Sequence, residues 1–463
     1  MPKVSIVSLG CPKNLVDSDT LLARLKREGF LYAEQAGDAD LVLVNTCGFI
    51  EDAKRESVEE ILKLRQITEQ GSKLLVFGCL AKRYGDELRK EIPEIDGLWG
   101  VEEEEAIVEY CKKITARGGR QEAAGKKNMP LDHALSSVAS PSYAYLKVAE
   151  GCSRGCTYCV IPSIRGPFRS VEPERILRKA QEHVGSGVKE LVLVAQDLGN
   201  FGREYSGYGL SSLVRDLSSI SGDFWIRLLY LNPSSITDDL LQAVAAEEKV
   251  CKYMDIPLQH SEDRVLKAMG RGGTRTSIAR LIEKIRETIP QIALRTTFIV
   301  GFPGETGEDF GRLKDFIEET RFEHLGVFTY SREEGTPAAK MKGHVPLKTR
   351  ERRRDDIMRL QAVISLGKNK SLVGKRLRVL VDEVEGGAAF GRLSSQAPEI
   401  DGVVILGHRH GAEGEVHGAK NRKGIDNPSR LAFHASAFLR PGEFVNVKIL
   451  EAYDYDLRGK PLP

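Results

Sequence analysis

The chain has 463 residues, 41% hydrophobic and 29% charged, which excludes wholesale disorder and leaves material for about three domains. Lys+Arg 68 against Asp+Glu 66 gives a net charge of +2, so the chain as a whole makes no electrostatic case for nucleic acid. The longest apolar runs, such as LVLV at 41–44, are strand-sized and far short of the ~20 residues of a membrane helix, and MPKVSIVSLG has no signal-peptide core; the expectation is a soluble cytoplasmic protein.

Residues 1–116 alternate apolar runs with amphipathic stretches. SIVSL at 5–9, DLVLVN at 40–45 and KLLVFG at 73–78 have strand character, and SDTLLARLKREG and residues 50–67 have helical spacing. This βα repeat predicts a parallel sheet with helices on both faces. Residues 117–141, rich in Gly, Ala, Ser and Lys, are a predicted linker. Six further strands follow at 144–149, 190–196, 224–230, 253–258, 294–301 and 324–330, with helical patterns between them such as TSIARLIEKIRETI at 276–289. Six βα units fit a partial parallel barrel, (βα)6. TRERRRDDIMRLQAVISLGKNK at 349–370 is a connecting helix, whose Arg-rich start suits either phosphate contact or a solvated face. The barrel and this helix make one unit, 142–370. In 371–463 helices vanish, and RLRVLVDEV, VVILG and EFVNVKILEAY predict a small antiparallel β-barrel. The fold class is therefore α/β with an appended β module.

The eight cysteines carry the chemistry. Without a signal peptide, metal binding or catalysis is a better reading than disulfides. Cys152, Cys156 and Cys159 form a CxxxCxxC loop, GCSRGCTYC, directly after a barrel strand, where barrel active sites lie. No fourth Cys or His is nearby, so a zinc knuckle fits less well than a 4Fe-4S cluster with one open iron. Cys11, Cys47 and Cys79 each stand just past a candidate strand, in SLGC, VNTC and VFGC. Their spacings of 36 and 32 match one βαβ unit, so a parallel sheet would bring all three to one edge. Cys111 and Cys251 have no such setting and are expected to be structural. Gln196, at the end of the second barrel strand, and Gly301, in IVGFPGET, are candidate cofactor contacts. GRGGTRT at 270–276 lacks the Lys-Ser/Thr pair of a phosphate loop. Tyr330, Glu334 and Pro337 line the cavity mouth or shape a loop, and His408 and His410 are read as part of a polar turn.

The CxxxCx(aromatic)C loop, with Tyr158 in the aromatic position, resembles the radical S-adenosylmethionine (SAM) superfamily. With the second trio, the whole chain resembles the radical SAM methylthiotransferases. SLGCPKNLVDSD at 8–19 and SSQAPEIDG at 394–402 are similar to the ribosomal-protein branch. The resemblance implies an N-terminal domain with an auxiliary 4Fe-4S cluster, a radical SAM barrel and a C-terminal TRAM domain. It also implies two 4Fe-4S clusters held by the two trios, SAM bound at the second and contacted near Tyr158, Gln196 and Gly301, and a methylthio group placed on an aspartate β-carbon of ribosomal protein uS12. A reduced donor such as flavodoxin or ferredoxin would supply electrons. An unactivated C–H bond has no useful acidity, which explains the lack of a Ser-His-Asp or paired-carboxylate motif. Alternatives are methylthio transfer to a tRNA adenosine and a two-cluster electron carrier. Residues 371–463 hold 13 Lys+Arg against 12 Asp+Glu, an unusually neutral balance for a module gripping RNA.

Overall fold

A computed structural model of the chain describes residues 1–68, 71–117, 142–406 and 439–462. Most of the predicted linker, with the histidines at 408 and 410, lies outside these residues.

The first unit is built from β1 (Lys3–Ser8), α1 (Pro12–Arg27), β2 (Leu31–Tyr32), β3 (Leu41–Thr46), α2 (Glu51–Ile67), β4 (Lys73–Gly78), α3 (Cys79–Glu91), β5 (Gly97–Trp99) and α4 (Glu104–Arg117). Its five strands run parallel in the order β2-β1-β3-β4-β5. Every residue of the central β3 is buried, as expected of a strand covered on both faces. On one face Val42, Val44, Leu74 and Val76 meet Ile61 and Leu64 of α2 and Leu80 and Leu88 of α3. On the other, Val4, Ile6, Leu43 and Phe77 meet Leu21, Leu22 and Leu25 of α1 and Ile107 and Cys111 of α4. Cys111 is thus a core residue. Short β2 and β5 were not legible in the sequence pattern.

The second unit comprises β6 (Tyr143–Lys147), β7 (Ala149–Glu150), α5 (Ile161–Arg165), β8 (Arg169–Ser170), α6 (Pro173–Gly185), β9 (Glu190–Val194), α7 (Leu210–Ser219), β10 (Trp225–Leu228), α8 (Asp238–Ala246), β11 (Val250–Asp255), α9 (Asp263–Ala268), α10 (Arg275–Thr288), β12 (Ala293–Val300), α11 (Gly307–Thr320), β13 (His324–Thr329) and α12 (Leu347–Lys370). Six parallel strands form one open sheet, β6-β9-β10-β11-β12-β13, which is the expected partial barrel. The helices pack outside it in one continuous core. Thr274 and Thr306 start α10 and α11 as capping boxes, each accepting from the amide three residues on. Cys251 lies inside β11 rather than before it, and is fully buried. The arginines of α12 are largely committed inward or to neighbours: Arg353 is buried 2.6 Å from Glu305, and Arg359 pairs with Asp356.

The third unit is a closed barrel of β14 (Arg376–Glu385), β15 (Ala388–Leu393), β16 (Val404–Leu406), β17 (Phe444–Ala452) and β18 (Leu457–Pro461). It is not wholly antiparallel: β16 and β18 pair in parallel. Strand β15, with the sequence AAFGRL, is too poor in β-branched residues to have been legible in advance.

The concave face of the open sheet is covered from two sides. Leu15 and Val16 of α1 and Leu380, Ala397 and Phe444 of the C-terminal unit pack against Tyr145, Val192, Val194, Trp225 and Tyr253. Polar contacts fix that docking: Glu190 pairs with Arg227 at 2.5 Å and with Arg392 at 2.7 Å, and Asp401 takes Arg295 at 2.5 Å and the Tyr253 hydroxyl at 2.8 Å. Glu190, Arg227 and Arg392 are all fully or nearly fully buried. Removing one partner of such a group strands the others, at about 3–5 kcal/mol. Glu190→Gln should therefore lower the unfolding midpoint in a thermal or guanidinium melt, and an unchanged midpoint would disprove this account of the joint.

Candidate functional site

The three parallel strands β1, β3 and β4 end in register, with Ser8 opposite Asn45 and Thr46 opposite Gly78. The chain then continues into Cys11, Cys47 and Cys79 on the same sheet edge. Buried Asn14, in the first turn of α1, marks their point of convergence. Its Oδ1 lies 3.9 Å from the Sγ atoms of both Cys11 and Cys79, while its Nδ2 donates to Leu9 O at 2.8 Å and Thr46 O at 3.2 Å. Cys47 is placed by Ser57, whose hydroxyl accepts the Cys47 amide and donates to its carbonyl, each at 3.0 Å. Burial pushes the Cys47 thiol up to about 12, with Cys11 and Cys79 adding to the shift.

The loop carrying Cys152, Cys156 and Cys159 leaves β7 at the C-terminal rim of the barrel. It is clamped by the end of α9 and by the segments after β9 and β10. The Thr157 amide donates to Met269 O at 2.9 Å and its hydroxyl to Ala268 O at 2.8 Å. Gly270 lies so close beneath that an added Cβ would stand 2.5 Å from Gly155 O, so GRGGTRT serves as a bed for this loop. Arg154 reaches Asp197 at 2.6 Å and Ser235 at 2.6 Å. Burial pushes the Cys159 thiol up to about 12, with Cys156 and Cys152 contributing in the same direction after the opposing Ile161 amide.

The two trios meet. Cys79 packs directly against Val160 and Ile164, the residues that follow Cys159. Arg165, at the end of α5, donates from Nε to Cys79 Sγ at 3.3 Å and from its other nitrogens to Asn14 Oδ1 at 2.6 Å, Asp17 at 2.8 Å and Glu150 at 3.1 Å. Glu150 also takes Lys147 at 2.9 Å. Although burial opposes it, these two cations hold the Glu150 carboxyl down at about 2.

Around the rim, several buried polar atoms have no hydrogen-bond partner among the described residues: Gln196 Oε1, Asp197 Oδ1, Gln259 Oε1, Ser261 Oγ and Tyr330 Oη. Gln259 also has φ of +73°, an unfavourable backbone for a side chain with a Cβ. Such orphaned groups fit a polar ligand with donors and acceptors of its own, as SAM has. Tyr158 packs edge-on to Phe302, whose other side meets Tyr330. Gly301 reaches the rim, but its N–H is given to Glu305 at 2.6 Å and its missing Cβ makes room for Arg350 of α12. Tyr330 is buried, whereas Glu334 offers its carbonyl to Arg83 at 3.1 Å and Pro337 opens a short 3-10 turn. The sequence pattern drew attention to the six cysteines, Tyr158, Gln196 and Gly301. It missed Asn14, Arg165, Glu150, Asp197 and Gln259, whose roles depend on contacts between distant segments.

Comparison with known proteins agrees with this layout. Residues 3–100 match Uncharacterized protein family UPF0004, residues 146–317 the Radical SAM superfamily and residues 373–462 the TRAM domain. The chain is 48% identical over 459 residues to ribosomal protein uS12 methylthiotransferase RimO of Thermodesulfovibrio yellowstonii, covering 99% of both chains. It is 44% identical to the protein of the same name from Geobacter sulfurreducens, covering 99% of this chain and 98% of that one. Among solved structures, the radical S-adenosylmethionine methyltransferase TsrM from Kitasatospora setae, with cobalamin and a [4Fe-4S] cluster bound, shares the fold with a TM-score of 0.52 at 14% identity, over 84% of this chain and 80% of that one. The three units in this order, and full-length identity well above that needed for common descent, place the chain in the RimO family of radical SAM methylthiotransferases.

Proposed function

We propose that this enzyme places a methylthio group on the β-carbon of an aspartate of ribosomal protein uS12, the protein named in its relatives. The observation that carries the reading is the packing of Cys79 of the first thiol site against the segment that follows the second, with Arg165 of that segment reaching into the first site. Cys11, Cys47 and Cys79 are the proposed ligands of the auxiliary cluster, and Cys152, Cys156 and Cys159 those of the cluster that takes SAM. Tyr158, Gln196 and Gly301 are proposed to border SAM.

The donor sets fit. Each trio offers only thiols, the ligand chemistry of iron–sulfur clusters. Among the described residues no three His, Cys, Asp or Glu side chains gather closely enough for a single metal ion. A four-iron cube takes each thiolate on a different iron, so its ligands stand further apart than those of one zinc. When bound, the clusters and SAM supply the electron, the hydrogen-abstracting radical and the methylthio group.

The chain's own contribution is placement and exclusion of water. Asn14 and Ser57 orient the first trio, and Gly270, Met269 and Arg154 hold the loop of the second. Arg165 and Lys147 neutralise the carboxylates of Asp17 and Glu150 between them. Holding two reacting centres in one cavity replaces an encounter in solution with a fixed approach. Among the described residues no helix is long and apolar enough to cross a membrane, and a small reduced protein such as flavodoxin or ferredoxin is the proposed electron source.

Anaerobically reconstituted protein should bind about eight irons, two clusters of four. Cys79→Ala and Cys152→Ala should each leave about four. Reductive SAM cleavage should survive in the first variant and be lost in the second; either variant retaining the full iron content would refute the ligand assignment. Incubated separately with uS12 and with tRNA, together with SAM and reductant, the enzyme should add methylthio mass to uS12. Modification of tRNA alone would make it an adenosine methylthiotransferase instead.

A further inference from the structure

Five Lys and Arg residues are buried among the described residues: Lys13, Arg165, Arg227, Arg353 and Arg392. The four arginines each hold at least one carboxylate. Arg165 takes Asp17 and Glu150, Arg227 takes Glu190, Arg353 takes Glu305, and Arg392 takes Glu190 and Asp382. Lys13 is different. It is only 8% exposed, yet among the described residues no carboxylate oxygen lies within 4.0 Å of its Nζ. Its neighbour is the ring of Tyr230, 4.3 Å from Nζ to the centroid. Cation–π attraction offsets part of the desolvation of an ammonium but does not replace a counter-ion.

The position of this charge is informative. Lys13 is two residues beyond Cys11, in the first turn of α1. Tyr230 follows β10 at the barrel rim, with a strained φ of +64°, and its amide donates to Asp255 Oδ2 at 3.0 Å. The Lys13 ammonium therefore lies in the seam where the first trio meets the barrel mouth. The charged group facing it there is Asp255, whose carboxyl burial pushes up while Arg295, at 3.9 Å, and more weakly Lys13 draw it down. Arg165 already serves Cys79 from the other side.

The proposed substrate brings a particular problem to that seam. The reacting β-carbon of an aspartate is bonded directly to its carboxylate, so a reaction at that carbon draws a full negative charge into a closed space. A buried carboxylate requires a cation. We infer that Lys13 is the side chain that receives the carboxylate of the target aspartate, and so selects an acidic residue in a protein loop as the substrate. The inference rests on the uS12 reading given above. In it, Lys13 is a substrate-binding residue whose counter-ion arrives with the substrate.

The test measures binding of uS12 to the reconstituted holoenzyme by fluorescence anisotropy, with intact uS12 and with uS12 whose target aspartate is changed to asparagine. The wild-type enzyme should prefer the aspartate form by roughly thirtyfold or more, the range for one desolvated charge pair. Lys13→Met should bind both forms alike, and Lys13→Arg should keep part of the preference. A purely structural Lys13 would weaken both forms equally and leave their ratio unchanged. Lys13→Met protein with full iron content and an undiminished preference overturns the inference. If Lys13→Met fails to take up iron, the wild-type measurement still decides: an enzyme that modifies uS12 yet binds both forms equally refutes the role of Lys13 alone. Failure to modify uS12 at all refutes the underlying reading instead.

Discussion

A guanidinium buried among two carboxylates, an amide oxygen and a thiol cannot lose one partner without stranding the rest, and Arg165 is held in that way. Its partners come from both halves of the site. Asn14, Asp17 and Cys79 belong to α1 and α3 of the N-terminal unit, while Glu150 and Arg165 itself flank the radical SAM loop. The joint is therefore a charge network as well as an apolar contact, and it includes Lys147, bonded to both Asp17 and Glu150. A network with every member satisfied fixes geometry, because any sliding of one domain on the other uncovers a buried charge at several kcal/mol. Chemistry that needs two centres at a set separation depends on this constraint.

Closure of the barrel follows from the same economy of contacts. An open six-stranded sheet leaves its concave face without a cover, and this chain covers it with elements from both neighbours. Leu15 and Val16 arrive on α1, the helix whose first turn also carries Lys13 and Asn14. Ala397 and Leu380 arrive from the C-terminal unit. The helix that organises the first thiol site is thus also part of the barrel wall, so the sheet edge bearing Cys11, Cys47 and Cys79 is positioned by packing as well as by charge.

The cysteines were legible because their signal is local or periodic. CxxxCxxC is a single loop, and the wider trio repeats at the length of one βαβ unit, so a parallel sheet alone predicts convergence. The longer strands of both sheets are legible for the same reason, as apolar runs at regular spacing, whereas β2 and β5 are too short to show a pattern. What the sequence did not disclose was long-range. Asn14 and Arg165 are 151 residues apart, and nothing in either local pattern marks the hydrogen bond between them. Gln259 reveals itself only through a positive φ and an unpaired amide oxygen. Gly301 stands out in the sequence as a glycine at a strand end, but the close neighbour that requires it is Arg350 from the connecting helix. The parallel pairing of β16 with β18 escaped notice because strand direction inside a small barrel is set by closure, not by residue pattern.

The near-neutral charge of residues 371–463 gains a physical meaning from the docking. A sum of 13 basic against 12 acidic residues says little by itself, since a local patch can hide within it. In the described part, however, several of these charges are engaged. Arg392 is buried on Glu190 and Asp382, Arg378 holds Asp223 of the barrel unit, and Arg458 pairs with Glu451. Asp401 is shared by Arg295, Tyr253 and His324. The segment SSQAPEIDG, which resembles the ribosomal-protein branch, supplies much of this contact: Ser394 O accepts from Arg227 at 2.8 Å and Ser395 O lies 2.7 Å from His324 Nε2. An arginine committed to a buried carboxylate has no free fork for a phosphate. Through Arg392, Asp401 and the apolar contacts of Leu380 and Ala397, this module turns one side inward, against the concave side of the barrel.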